Sequence, residues 1–382
     1  MKKGRISAAR KALAIAVAIG SALLCAWPMN SAASASSSQD QRLGGRARPV
    51  ITLQWPQFFS AGNEKSRDSA PRVLIPGGQA IGVAIRTQGV LVVGAGDNGR
   101  DSLREGDMIL SVNGVPLLES AMLTEAVNAA QGQPLSLRIS RGGQENDLLL
   151  TPRYDESSRA WRLGVWVRDS TAGVGTLTYY DPATGAYGAL GHAITDSDTG
   201  SLLPVREGAL MQAEIVDVRR GQRGAPGELR GSFLREQVTL GTVQVNTALG
   251  IYGRLEAPAA SALYPEGLPT ASRGQVHTGA ATILSTIAGQ EACEYAIEIT
   301  QVSRQSAAAP KSMVLRVIDE RLLSSTGGIV QGMSGSPILQ DGRIVGAVTH
   351  VFVSDPTQGY GVFIDWMLQQ SDALSAQQSE AA

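Results

Sequence analysis

Cysteine is nearly missing from this 382-residue chain, with Cys25 in an apolar N-terminal run and Cys293 far downstream as the only two. Such a pair gives no disulfide framework, and no CxxC or Cys/His spacing points to a metal site. Cys293 is expected to be a free, buried thiol without a catalytic task. Aromatic residues are scarce at 5%, and the net charge of −1 leaves no broad basic face, which argues against a nucleic-acid partner. Histidine is scarce too: His192, His277 and His350 are the whole supply.

What the chain does have is 43% apolar residues and 44 glycines, a balance that suits β-rich domains with many tight turns. The length allows two folded domains and a leader. Lys2, Lys3, Arg5, Arg10 and Lys11 precede an apolar run from Ala12 to Met29 and a small-residue stretch at 31–35. Residues 1–35 therefore read as a signal peptide or a signal anchor. The run is near the roughly 17–20 residues that cross a bilayer. With its basic side kept in the cytoplasm, the rest of the chain would be exported and would touch the membrane through this segment. A polar stretch from Ser36 opens a tether expected to extend to residue 71.

Residues 72–154 alternate short apolar runs with glycine turns. Ala80–Ile85 and Gly89–Val93 read as paired strands, Met108–Val112 as a strand ending in an Asn113-Gly114 turn, and Leu118–Ala130 as an amphipathic helix. The phrase LREGDMILSVNGVPL carries a resemblance to PDZ domains of the bacterial protease-associated type. The resemblance implies an α+β module with a loop whose backbone N–H groups receive a peptide C-terminus, or the chain's own neighbouring segment. That loop would be Gly77, Gly78, Gln79, Ala80, Ile81 and Gly82, where glycines permit close backbone approach.

Residues 161–374 hold the chemistry. Gly332-Met333-Ser334-Gly335-Ser336-Pro337 leads into an apolar strand, an Asp341-Gly342 hairpin and a second strand. A nucleophilic serine needs a sharp turn that exposes its Oγ and aims backbone N–H groups at the developing oxyanion. Ser334 fits that place, and Ser336 is the competitor. The layout is that of the trypsin-like nucleophile loop, and by that resemblance the oxyanion donors are the N–H groups of Gly332 and Ser334. Met333 stands where the trypsin pattern has an aspartate that pairs with a freed N-terminus, which argues against that activation route.

The base should be a histidine. His192, in Gly191-His192-Ala193-Ile194, lies far enough before Ser334 for the two to come from different halves of a double barrel. His277 reads as a surface residue. His350 closes the strand after the nucleophile hairpin, where a pocket-lining role is open to it. A carboxylate should orient the imidazole. Asp319, Asp196, Asp198 and Asp217 all qualify, and residue physics does not choose among them.

The segments GALGHAITD, GAPGELRG, LGTVQVNTALGIYG, TGGIVQGMSGSPILQDGRIVGAVTHVF and DPTQGYGVFIDWML, in the order leader, PDZ, peptidase, resemble the sporulation stage IV protein B peptidases of endospore formers. The resemblance implies a mainly β protein, a PDZ-like module followed by a trypsin-like double β-barrel, with His192, Asp319 and Ser334 as catalytic residues. It implies no metal or organic cofactor. It further implies a signalling protease in the space between the two forespore membranes. That protease cleaves itself, with the 36–48 stretch an accessible site, and cleaves a regulator of a membrane-embedded metalloprotease that processes a sigma-factor precursor. A general envelope quality-control protease and a non-catalytic PDZ scaffold are the competing classes.

Overall fold

The computed structural model describes residues 71–95, 103–233 and 239–381. The expected leader, the tether up to residue 70 and Cys25 lie outside the described residues. Among the described residues no helix is long and apolar enough to cross a membrane.

The first part of the chain forms β1 (Val73–Pro76), β2 (Ala80–Ala95), β3 (Met108–Val112), β4 (Val115–Pro116), α1 (Ser120–Ala129), β5 (Leu135–Arg141), β6 (Gln144–Leu150), β7 (Arg153–Asp155) and β8 (Ala160–Arg162). In β5, Leu135, Leu137 and Ile139 are buried while Ser136 and Arg138 face outward, the period of a half-buried strand. Asn113 and Gly114 both have positive φ, 49° and 79°, so the turn from β3 to β4 bends as a hairpin of twisted strands requires. Leu123 and Val127, one turn apart on α1, complete a small core with Val90, Val92, Ile109, Leu137 and Ile139. This is the PDZ-like α+β module.

Next come β9 (Val165–Tyr180), β10 (Ala186–Ala189), β11 (Val205–Arg219), β12 (Glu228–Phe233), β13 (Thr239–Thr247), β14 (Gly250–Leu255) and β15 (Leu268–Pro269). The antiparallel pairings close into a ring in the order β2-β9-β10-β14-β13-β11. The third group is β16 (Gly279–Ser285), β17 (Cys293–Val302), β18 (Met313–Val317), α2 (Glu320–Thr326), β19 (Pro337–Gln340), β20 (Arg343–Phe352), β21 (Asp355–Phe363) and α3 (Ile364–Ala381). Its strands close as β16-β17-β18-β21-β20-β19. Numbered within each ring, both barrels follow one order: first, second, third, sixth, fifth, fourth. That repeated closure is the trypsin-like double barrel. Helix α3 packs on β10 and β14 of the first barrel and on β20 and β21 of the second, burying Ile364, Trp366 and Met367 across both.

Three expectations are corrected. Ala80–Ile85 and Gly89–Val93 are not a hairpin but one long strand, β2. Its first half pairs with β11 and with Ser170–Thr176 of β9, and its second half continues into the module beside Val165–Arg168. The boundary expected at residue 72 therefore shifts, because β1 and the start of β2 belong with the first barrel and the module grows out of it. An apolar run with period two reads alike whichever sheet receives it. The expected peptide-binding loop is closed for the same reason. Gly77 and Gly78 donate to the carbonyls of Thr178 and Leu177, Ala80 is paired with β9, and Ile81 and Gly82 are paired on both edges. A Cβ on Gly77 would sit 2.1 Å from the Leu177 carbonyl oxygen, so this glycine serves strand packing and not peptide capture.

Candidate active site

Ser334 sits in the connection leading into β19, on the second barrel. Gly332 and Gly335, with φ of 97° and 99°, bend the chain on either side of it, in a region that only glycine enters without strain. The turn is pressed against the first barrel: a Cβ on Gly335 would fall 2.1 Å from the Thr176 carbonyl oxygen. Met333 is fully buried, filling the core where a charged residue would be costly. The Gly332 and Ser334 N–H groups, the expected oxyanion donors, have no hydrogen-bond acceptor among the described residues. The Ser334 hydroxyl donates to the Thr349 carbonyl oxygen at 2.7 Å. Ser336, the competing nucleophile, has 0% exposure and a buried Oγ without a partner, so substrate cannot reach it.

His192 follows β10 through Leu190 and Gly191, both at positive φ. This turn leans on the second barrel, where a Cβ on Gly191 would meet Thr349 Cγ2 at 3.0 Å and Val362 at 3.1 Å. One residue ties the two halves of the site together. Thr176 of β9 donates its N–H to the Ser334 carbonyl (3.0 Å) and its hydroxyl to the Gly332 carbonyl (2.8 Å), and accepts at its own carbonyl from Leu190 N–H (3.3 Å). Sequence reasoning missed Thr176, because two of its three bonds run through backbone.

The half-buried His192 ring places Nδ1 2.8 Å from the Ala193 carbonyl oxygen. A carbonyl only accepts, so Nδ1 carries the proton and Nε2 keeps its lone pair. Desolvation pushes the His192 pKa down, against the upward pull of that bond, which favours the neutral base. His350 lies beside it, ring centroids 4.9 Å apart. His350 keeps contact with solvent, yet desolvation, then His192 and Lys311, lower its pKa to about 3. Asn246, buried, clamps the segment after His192: it accepts from Ile194 N–H (2.9 Å) and donates to the carbonyls of Ile194 (2.7 Å) and Leu203 (3.0 Å).

The structure brings none of the four weighed aspartates to the imidazole. Each is claimed by an arginine: Asp196 and Asp198 by Arg168, Asp217 by Arg230, Asp319 by Arg321. Asp319 caps α2, accepting from Arg321 N–H at 2.9 Å and from Ala296 N–H at 3.1 Å. The Arg321 guanidinium first, and then these N–H bonds, hold its carboxyl well below the usual range against the desolvation that raises it. The orienting partner of His192 is the Ala193 carbonyl instead. His277 is exposed and paired with Asp341 at 2.8 Å, away from the site. Cys293, expected buried, is exposed: it opens β17 just before the buried run Tyr295, Ile297, Ile299.

The sequence pattern of the SpoIVB peptidase S55 family matches residues 159–368. The chain belongs to that family. It is a serine peptidase, and the match covers both barrel segments that carry His192 and Ser334. No curated relative matches it. Among solved structures, the Rv3671c protease of M. tuberculosis in its active form is similar at 13% identity, covering 53% of this chain and 74% of that one, with a TM-score of 0.31. Its inactive form gives 13% identity, 52% and 82% coverage, and a TM-score of 0.28. The PDZ domain of the SdrC-like protein of Listeria monocytogenes gives 17% identity, 21% and 87% coverage, and a TM-score of 0.20. The fold assigned to this S55 peptidase rests on its own strand pairings.

Proposed function

We propose that this S55 peptidase is an exported signalling protease of sporulation. It acts between the forespore membranes, cleaves itself, and cleaves a membrane-anchored regulator of a sigma-factor-processing metalloprotease. Family membership supports the role. The observation that carries the chemistry is that Thr176 holds the Ser334 loop and the start of the His192 turn together across the two barrels.

In the proposed reaction the Ser334 hydroxyl swings from the Thr349 carbonyl to His192. Ser334 Oγ attacks the scissile carbonyl carbon while its proton passes to His192 Nε2. The Gly332 and Ser334 N–H groups hold the oxyanion. As the C–N bond breaks, His192 returns the proton to the leaving amine, leaving an acyl-enzyme on Ser334. Water, deprotonated by His192, then releases the acid product and restores the hydroxyl. The shared strands β2 and β9 favour a PDZ-like module that docks on its own chain over one that swings freely.

The test is co-expression of the full chain, as wild type and Ser334→Ala, with a single-pass membrane regulator and separately with unfolded casein. Selective cleavage of the regulator, together with new N-termini within 36–48 in the wild type alone, supports the signalling role. Indiscriminate casein cleavage would assign the chain to quality control.

A further inference from the structure

After Lys65 the chain carries a single lysine, Lys311, and arginine supplies every other positive side chain of that long stretch. Lys311 is exposed, and no ion pair among the described residues involves it. Its Nζ lies 4.8 Å from the centroid of the Tyr360 ring. A lysine over an aromatic face keeps a compact charge on a mobile stem, free to meet an incoming anion.

Two short chains of contacts link this cation to Ser334 and His192. Thr349 accepts the Ser334 hydroxyl at its carbonyl and donates its own hydroxyl to the carbonyl of Pro310, the residue before Lys311, at 3.0 Å. Gln305 holds the Lys311 carbonyl at 2.9 Å. Tyr360, under the ammonium, is the register partner of His350, and His350 stacks beside His192. Phe352 packs on the Tyr360 ring, centroids 4.6 Å apart, completing an aromatic wall. The Lys311 charge is felt at His350, whose protonated form it disfavours. Lys311 thus brings its ammonium to this wall, over the Tyr360 ring.

We propose that Lys311 selects an acidic side chain, aspartate or glutamate, near the scissile bond of the peptide substrate. The proposal rests on Ser334 being the nucleophile. A carboxylate there gains a charge-assisted hydrogen bond that a neutral amide lacks. The expected preference for Glu over Gln is about 10-fold in kcat/KM, at the low end for a hydrogen bond to a charged group because the site is open to solvent.

The experiment uses the full-length protein as wild type, Lys311→Met and Lys311→Glu. Matched fluorogenic peptides carry Glu, Gln or Lys at each position flanking the cut, and Ser334 labelling by a fluorophosphonate is followed in parallel. The wild type should favour Glu at one position, more strongly at low salt. Lys311→Met should cleave Glu and Gln peptides alike, and Lys311→Glu should favour Lys. Normal Ser334 labelling with equal Glu and Gln rates in the wild type, or with the same preference in Lys311→Met, overturns the proposal and leaves the nucleophile standing. Absence of labelling in the wild type would instead overturn the reading on which it rests.

Discussion

His192 Nδ1 sits 2.8 Å from the carbonyl oxygen of Ala193, its own neighbour in the chain. A backbone carbonyl can fix the imidazole tautomer as a carboxylate does, but it brings no negative charge to steady the imidazolium. In the proposed serine–histidine site the orienting contact is thus supplied locally.

Asp319 separates this account from a triad. As the cap of α2 it should cost about 1 kcal/mol of stability when changed to alanine. Asp319→Asn keeps a capping side chain and should leave kcat within a few-fold of wild type. A carboxylate serving the histidine would lose about 10⁴ in kcat on the same change. Steady-state kinetics and thermal melting of both variants decide between these roles.

The downward push on the His192 pKa sets the pH profile. The base must be neutral to take the serine proton. A lowered pKa keeps it neutral further into acid, so activity is retained until pH falls through that lowered value. The acid limb of kcat/KM on a neutral peptide should lie below pH 6.5, the ordinary histidine value. A limb at or above 6.5 would contradict the desolvated geometry.

Asn246 should matter through His192. Asn246→Ala leaves the N–H of Ile194 and the carbonyl of Leu203 without their side-chain partner, while the Ile194 carbonyl keeps the Leu203 N–H, a loss of about 1–3 kcal/mol. Asn246→Asp keeps the size but turns a carboxylate toward those two carbonyls. Both variants should lower kcat and slow fluorophosphonate labelling of Ser334, with KM little changed. Melting curves separate loss of fold from loss of alignment.

The sharp turn of the Ser334 loop was legible because its glycines and Pro337 are side-chain choices forced by that turn, and the positive φ of Gly332 and Gly335 agrees with it. The carbonyls of Ala193 and Thr349 were not, since backbone acceptors leave no letter in the sequence. The course of β2 was hidden because the apolar alternation of Ala80–Ile85 does not say which sheet it joins. The place of Asp319 came from resemblance alone, and in the structure Arg321, two residues on, claims its carboxylate.

The most direct measurement is mass-spectrometric mapping of a fluorophosphonate adduct on folded full-length wild type, Ser334→Ala and Ser336→Ala. The account predicts one adduct, on Ser334, in the wild type and in Ser336→Ala, and none in Ser334→Ala. An adduct that persists in Ser334→Ala, or none in the folded wild type, would contradict Ser334 as the nucleophile.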